Sequence, residues 1–108
     1  EYGENGYLMD PHTAVGRSAL TQYRAETGDN RPAVVLSTAS PYKFPAAVLD
    51  ALGFPAEQSG FAAMDELHAR TGAPIPKNLA ALRDLPVRHT DCVDRTDMLE
   101  YVRDKAKR

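Results

Sequence analysis

Residues 33–41 read Ala-Val-Val-Leu-Ser-Thr-Ala-Ser-Pro, and the predicted fold depends on this stretch. Its first four residues form a short apolar run without alternation, which is typical of a strand buried on both faces of a parallel sheet. Small polar residues and Pro41 then end the run. The stretch therefore predicts an α/β protein in which a ligand would lie beyond the carboxyl end of this strand.

Capping and breaker residues predict helices on both sides of the strand. Asp10 and Pro11 are favoured at the start of a helix, and Gly28 is a favoured C-terminal cap. Val15, Ala19 and other apolar residues between them share one face of that helix. The predicted helices cover residues 11–27, 45–53, 59–72 and 76–83, followed by a last helix that Asp94 and Asp97 flank, with Met98, Leu99 and Val102 facing inward.

A second strand is predicted over residues 85–89, so the chain is expected to be mostly helical with one or two strands. Two strands alone make a marginal sheet. We therefore expect the strands to belong to a larger parallel or mixed sheet, and residues 1–108 to act as a single segment of a longer protein. The absence of a Met at position 1 agrees with that expectation.

Composition excludes several classes of protein. A formal charge of −2 argues against a nucleic-acid partner, which needs a basic stripe. No apolar run approaches the roughly 20 residues of a membrane span, and one cysteine, Cys92, allows no internal disulfide and fits a reducing cytoplasm. His89 and Cys92 lack the paired spacing of zinc ligands, so no metal site is predicted.

Two motifs resemble segments of a known enzyme family. Residues 6–16, Gly-Tyr-Leu-Met-Asp-Pro-His-Thr-Ala-Val-Gly, are similar to the segment before a late helix in threonine synthases. Residues 35–45, Val-Leu-Ser-Thr-Ala-Ser-Pro-Tyr-Lys-Phe-Pro, resemble the strand and turn near the family's carboxyl end. This chain departs from the family pattern at Ser40, where a His is expected, and at Tyr42, where a small residue is usual.

The resemblance implies the carboxy-terminal part of a pyridoxal-phosphate (PLP) enzyme of the tryptophan-synthase-β type, also called fold type II. It implies a lyase that converts O-phospho-L-homoserine and water into L-threonine and phosphate. In that family the threonine of the Ser-Thr-Ala turn faces the pyridine nitrogen of the cofactor, and this position is Thr38 here. The small hydroxyl residues of the turn would let a flat ligand approach the backbone, although they could equally serve only to make the turn.

Two further residues are candidates for lining the active site. Ser37 precedes Thr38 in the turn. His12 stands near the start of the first long helix, where the positive end of the dipole favours a neutral imidazole. The alternative for His12 is that it only packs the helix start.

The family's Schiff-base lysine belongs to an upstream motif that these residues lack, and Lys43, after the turn, does not match it. The phosphate-binding Gly-rich loop is missing too. We therefore expect neither catalysis nor PLP binding from the 108 residues alone. Exposed apolar surface around residues 33–36 would favour self-association. The alternative is a stand-alone helical or α/β interaction module without catalysis.

Overall fold

A computed structural model describes residues 1–55 and 59–107, and this part of the chain contains helices but no β-strand. The predicted α/β class is therefore wrong for the described residues. The helices are α1 (Tyr2–Asn5), α2 (Pro11–Thr27), α3 (Pro45–Ala51), α4 (Gly60–Thr71), α5 (Lys77–Ala81) and α6 (Met98–Lys105), with 3₁₀ turns at Pro41–Lys43 and Leu82–Asp84.

The long helix α2 has the limits that its capping residues predict. The Asp10 carboxylate accepts hydrogen bonds from the backbone N–H groups of His12, at 3.0 Å, and Thr13, at 3.3 Å. Two amides that have no partner within the helix are thereby satisfied. At the other end, Gly28 has φ 70° and its N–H donates to the carbonyl of Arg24. The prediction for this helix is confirmed.

The apolar run at 33–36 is not a buried strand. Val34 and Leu36 are 88% and 77% exposed, whereas Val35 lies against α2, where a Cβ on Gly16 would come within 3.2 Å of its Cγ1. Val35 therefore faces the helix, and its two neighbours face the solvent. No strand in the described part of the chain offers a partner for the ladder hydrogen bonds, so the segment keeps a strand-like alternation without becoming a strand.

The second predicted strand, at residues 85–89, is also wrong. Leu85 and Val87 are exposed, and this stretch has no regular secondary structure. The last predicted helix exists as α6, but Met98, Leu99 and Val102 are exposed and do not face inward. Its described side-chain polar contacts are with the segments next to it: Asp91, before the helix, accepts from Lys105 at 2.8 Å and from Tyr101 at 2.6 Å, and Asp104 accepts from Lys107, after the helix, at 3.1 Å.

A small core forms where α3 packs on α4. Leu49 of α3 and Leu67 of α4 have no exposed surface, and Met64 is nearly buried beside them. Partly buried apolar residues surround this centre. The described core consists of Tyr42, Val48, Leu49, Ala63, Met64 and Leu67, with Leu8, Leu52, Phe54, Ala73, Ile75 and Leu79 packed against it.

The molecule is extended for its size. Its radius of gyration is 18.8 Å, whereas a compact domain of this length has about 13 Å. Its accessible surface is 8577 Å², whereas a folded monomer of this mass exposes about 5,900 Å². Much surface that a compact domain would bury is therefore uncovered. Among the described residues, no helix combines the length and apolar character needed to cross a bilayer.

Candidate functional site

The segment 35–44 lies across the first turns of α2. Val35 packs on Gly16, and the Ser37 and Thr13 hydroxyl oxygens are 3.3 Å apart. Further along the chain, the Phe44 ring packs on the His12 ring, with centroids 5.0 Å apart and planes tilted by 58°. One helix start thus contacts the beginning, the middle and the end of the segment.

Asp10 anchors this arrangement. Its carboxylate is 1% exposed, and it accepts the Thr13 hydroxyl in addition to the two backbone N–H groups. The hydrogen bond from that hydroxyl is the main reason that the pKa of Asp10 lies below its ordinary value of 3.8, and burial acts in the opposite direction. Asp10 is therefore an ionised, well-partnered group at neutral pH.

The Thr13 hydroxyl has only one proton, and the geometry directs it to the Asp10 carboxylate. In the contact with Ser37, the Thr13 oxygen must therefore accept and the Ser37 hydroxyl must donate. The three groups form a directed chain from Ser37 through Thr13 to Asp10. The contact between Ser37 and Thr13 is the longer of the two hydroxyl contacts in this chain, and it orients the Ser37 hydroxyl toward α2.

Tyr42 holds the turn from its other side. The side chain is 3% exposed, and its hydroxyl donates to the backbone carbonyl of Ala73 after α4. Burial raises the pKa of the Tyr42 phenol. The Nδ1 atom of His68 lies 2.7 Å from the same carbonyl. The large residue at position 42, where a small residue was expected, is therefore a core residue that ties the turn to the loop after α4.

The turn forms one wall of a shallow groove of about 350 Å³. Its polar lining residues are three hydroxyl residues and Lys43 from the turn, together with Asn78 from α5. Neutral donors with one positive charge suit a flat heteroaromatic ring or a small anion. The residues that line the groove are Ser37, Thr38, Ala39, Ser40, Lys43, Pro76, Asn78 and Leu79.

Two of the three candidate residues meet in this groove. Ser37 and Thr38 line it side by side. His12 lies behind the turn, with its ring on Phe44 and its Nδ1 atom 3.4 Å from Asp10, and it is not among the lining residues of the described groove. The described residues contain no group of three or more side chains that would suit a metal ion.

Sequence reasoning missed Thr13 and Asn78. Thr13 stands three positions after the N-cap, where a side chain often completes a reciprocal cap, so its spacing from Asp10 was an available signal. Its contact with Ser37 bridges 24 positions of sequence and could not be read from local spacing. Asn78 reaches the groove only because α4 folds back on α3, and the sequence around it contains no motif that indicates a site residue.

Comparisons with known proteins show the family to which the chain belongs. A family model described as "Threonine synthase, C-terminal" matches residues 13–103, and the chain belongs to this family. A threonine synthase from Corynebacterium glutamicum is 34% identical over 98 residues, which cover 90% of this chain and 16% of that relative. The chain thus spans only a small part, 16%, of the relative's length. No solved structure matches, and no comparison supports a stand-alone interaction module.

Proposed function

We propose that residues 1–108 act as the carboxy-terminal segment of a complete threonine synthase, which converts O-phospho-L-homoserine and water into L-threonine and phosphate with PLP as cofactor. The family match over residues 13–103 is the observation that carries this proposal. The relative from Corynebacterium glutamicum, to a part of which this chain is similar, is itself named threonine synthase. The groove beside Thr38 is the part of the cofactor site that we assign to this chain.

The groove residues fit one edge of a pyridine ring. Thr38 is exposed on the groove wall, and its hydroxyl has a proton to donate to a ring nitrogen. A hydroxyl with an ordinary alcohol pKa does not give up that proton, so the nitrogen stays neutral, whereas a carboxylic acid would protonate it. When bound, PLP supplies the electron sink for the reaction; Thr38 binds and orients the ring.

The other residues of the turn have supporting roles in this proposal. Ser37 lines the groove beside Thr38, and its hydroxyl is directed to Thr13 and not to the ring. The wall itself resists displacement because Tyr42 is buried and bonded to Ala73. His12 supports the turn from behind through its contact with Phe44. The lysine that holds the cofactor covalently and the groups that bind the substrate's phosphate would come from the rest of the enzyme.

A test of the cofactor role uses Thr38→Ala and Thr38→Ser in the full-length protein. A lost hydrogen bond of about 1 kcal/mol predicts about fivefold weaker PLP binding for Thr38→Ala, with a shifted cofactor absorbance band. Thr38→Ser keeps the hydroxyl and should stay close to wild type. The measurements are PLP titration by absorbance and phosphate release from O-phospho-L-homoserine. An unchanged spectrum and turnover in Thr38→Ala would remove this assignment.

One consequence concerns the chain by itself. The purified 108 residues, incubated with PLP, should show neither the absorbance of a covalently bound cofactor nor phosphate release, because the groove covers only one edge of a ring.

For the complete enzyme we propose a cytoplasmic location, since the single cysteine, Cys92, is unpaired and exposed as in proteins of a reducing compartment. Its partner of interest is the small-molecule substrate, and no nucleic acid or membrane is involved.

A further inference from the structure

We propose that Thr13 is a positioning residue for the cofactor-facing turn. It has no place in the groove, yet it is the link between the buried Asp10 carboxylate and Ser37. This inference rests on the proposed role of Thr38, and it adds the device that sets where Thr38 stands.

The first step is that the anchor is fixed. Asp10 is buried and accepts from the His12 and Thr13 amides as well as from the Thr13 hydroxyl. Bonds to an ionised acceptor are stronger than bonds between neutral groups. Thr13 is itself buried, at 6% exposure, so its side chain has little freedom to choose another rotamer or a water partner. The Thr13 oxygen is therefore held rigidly at the start of α2.

The second step is that this oxygen is needed by the turn. Ser37 is exposed on its groove side, and its contact with Thr13 is the only polar bond described between the segment 33–38 and α2. The neighbouring contact, Val35 on Gly16, is apolar and contains no directional bond. A directional hydrogen bond at Ser37 fixes the register, and Thr38 follows one residue later.

An ordinary capping role is the alternative, and it makes a different prediction. A threonine at the third helical position can serve the cap alone, in which case its loss would weaken α2 without any specific effect at the groove. The two roles separate when Ser37 is changed together with Thr13. If the link does no positioning, the effects of the Thr13 and Ser37 substitutions on the groove add up independently. If the link positions the turn, the two effects are coupled.

The test uses a double-mutant cycle in the full-length protein with Thr13→Val, Ser37→Ala and the combination. Thr13→Val keeps the shape and removes the hydroxyl, and Thr13→Ser is the conservative control. We expect Thr13→Val to weaken PLP binding about fivefold, the factor for one net hydrogen bond, and to shift the cofactor absorbance band. Thr13→Ser should restore both. Ser37→Ala should add no further loss in the Thr13→Val background.

Two results would overturn the proposal. The first is that Thr13→Val and Thr13→Ser show the same cofactor absorbance spectrum, and the second is that the losses in PLP binding from Thr13→Val and Ser37→Ala are additive. If Thr13→Val does not fold, the hydrogen exchange of Ser37→Ala decides, because this variant cuts the link and leaves the cap intact, and because exchange is read without the cofactor. Hydrogen exchange at the amides of residues 35–40 is read in the same variants and does not depend on PLP. Faster exchange in Ser37→Ala with no cofactor effect in Thr38→Ala supports the link and rejects the proposed cofactor role of Thr38. Unchanged exchange rejects the link.

Discussion

At the scale of single residues, the start of α2 combines structure with function. Asp10 is buried, and the groups that satisfy its carboxylate are backbone amides and the Thr13 hydroxyl. An N-cap usually lies at the surface, where it satisfies helix amides and does little else. Here the same carboxylate also orients a hydroxyl that reaches a distant segment. A substitution of Asp10 should therefore weaken both the start of α2 and the attachment of the turn to it.

The pKa of Asp10 predicts how its contribution depends on pH. Because the folded protein lowers this pKa below 3.8, the stabilisation is fully present above that value and is lost as the pH falls through the lower, folded pKa. In thermal denaturation followed by circular dichroism, Asp10→Asn should lack this acid-dependent loss. At neutral pH, Asp10→Ala should lose about 1–2 kcal/mol, the cost of a removed cap.

Asp50→Asn, at an exposed position of α3, is the matched control for the removal of one negative charge. It should keep the wild-type decrease of stability at low pH, because Asp10 is intact. If Asp10→Asn and Asp50→Asn gave the same pH profile, the Asp10 carboxylate would have no special part in acid stability.

At the scale of elements, local signals predicted the helices well. The limits of α2 follow from Asp10, Pro11 and Gly28, which act through backbone geometry within a few residues. The strand prediction at 33–36 was wrong because a strand is defined by its partner, and apolar character alone does not supply one. The groove could be predicted only in part, since Ser37 and Thr38 are sequence neighbours, whereas Asn78 arrives because α4 packs on α3 and Leu79 packs on the resulting core.

The packing of α3 on α4 should determine most of the measurable stability. Leu49→Ala removes a side chain with no exposed surface and should cost about 2–5 kcal/mol, because a cavity adds to the lost burial. Leu99→Ala in α6 changes the same groups at a position that is 63% exposed, and it should change stability by no more than about 0.5 kcal/mol. Urea denaturation followed by circular dichroism measures both, and equal effects would contradict this view of the core.

At the scale of the whole molecule, the notable property is uncovered surface. The chain exposes 8577 Å² where about 5,900 Å² is usual for its mass, and much of the excess lies on segments without tertiary packing. Residues 85–107 and the outer side of 33–36 carry exposed apolar side chains. A surface of this kind is typical of protein that is covered by further structure or by a partner.

The isolated chain should therefore self-associate as its concentration rises. Sedimentation velocity should show a growing fraction of larger species, and Val34→Ser with Leu36→Ser should reduce that fraction by removing two exposed apolar groups. Ala25→Ser, at an exposed position of α2, is a control that should change little. A chain that stays monomeric at every concentration, with or without these substitutions, would contradict the prediction.

The three contacts between α2 and the segment 35–44 pair residues in opposite chain order: Gly16 with Val35, Thr13 with Ser37, and His12 with Phe44. Tolerance to insertions and deletions must then be uneven. Extra residues between Gly28 and Pro32 lengthen only a surface connection and leave every pairing in place. One residue added or removed between Ser37 and Phe44 would force one of the end contacts to break, so evolution can vary the length of the first stretch far more freely than that of the second.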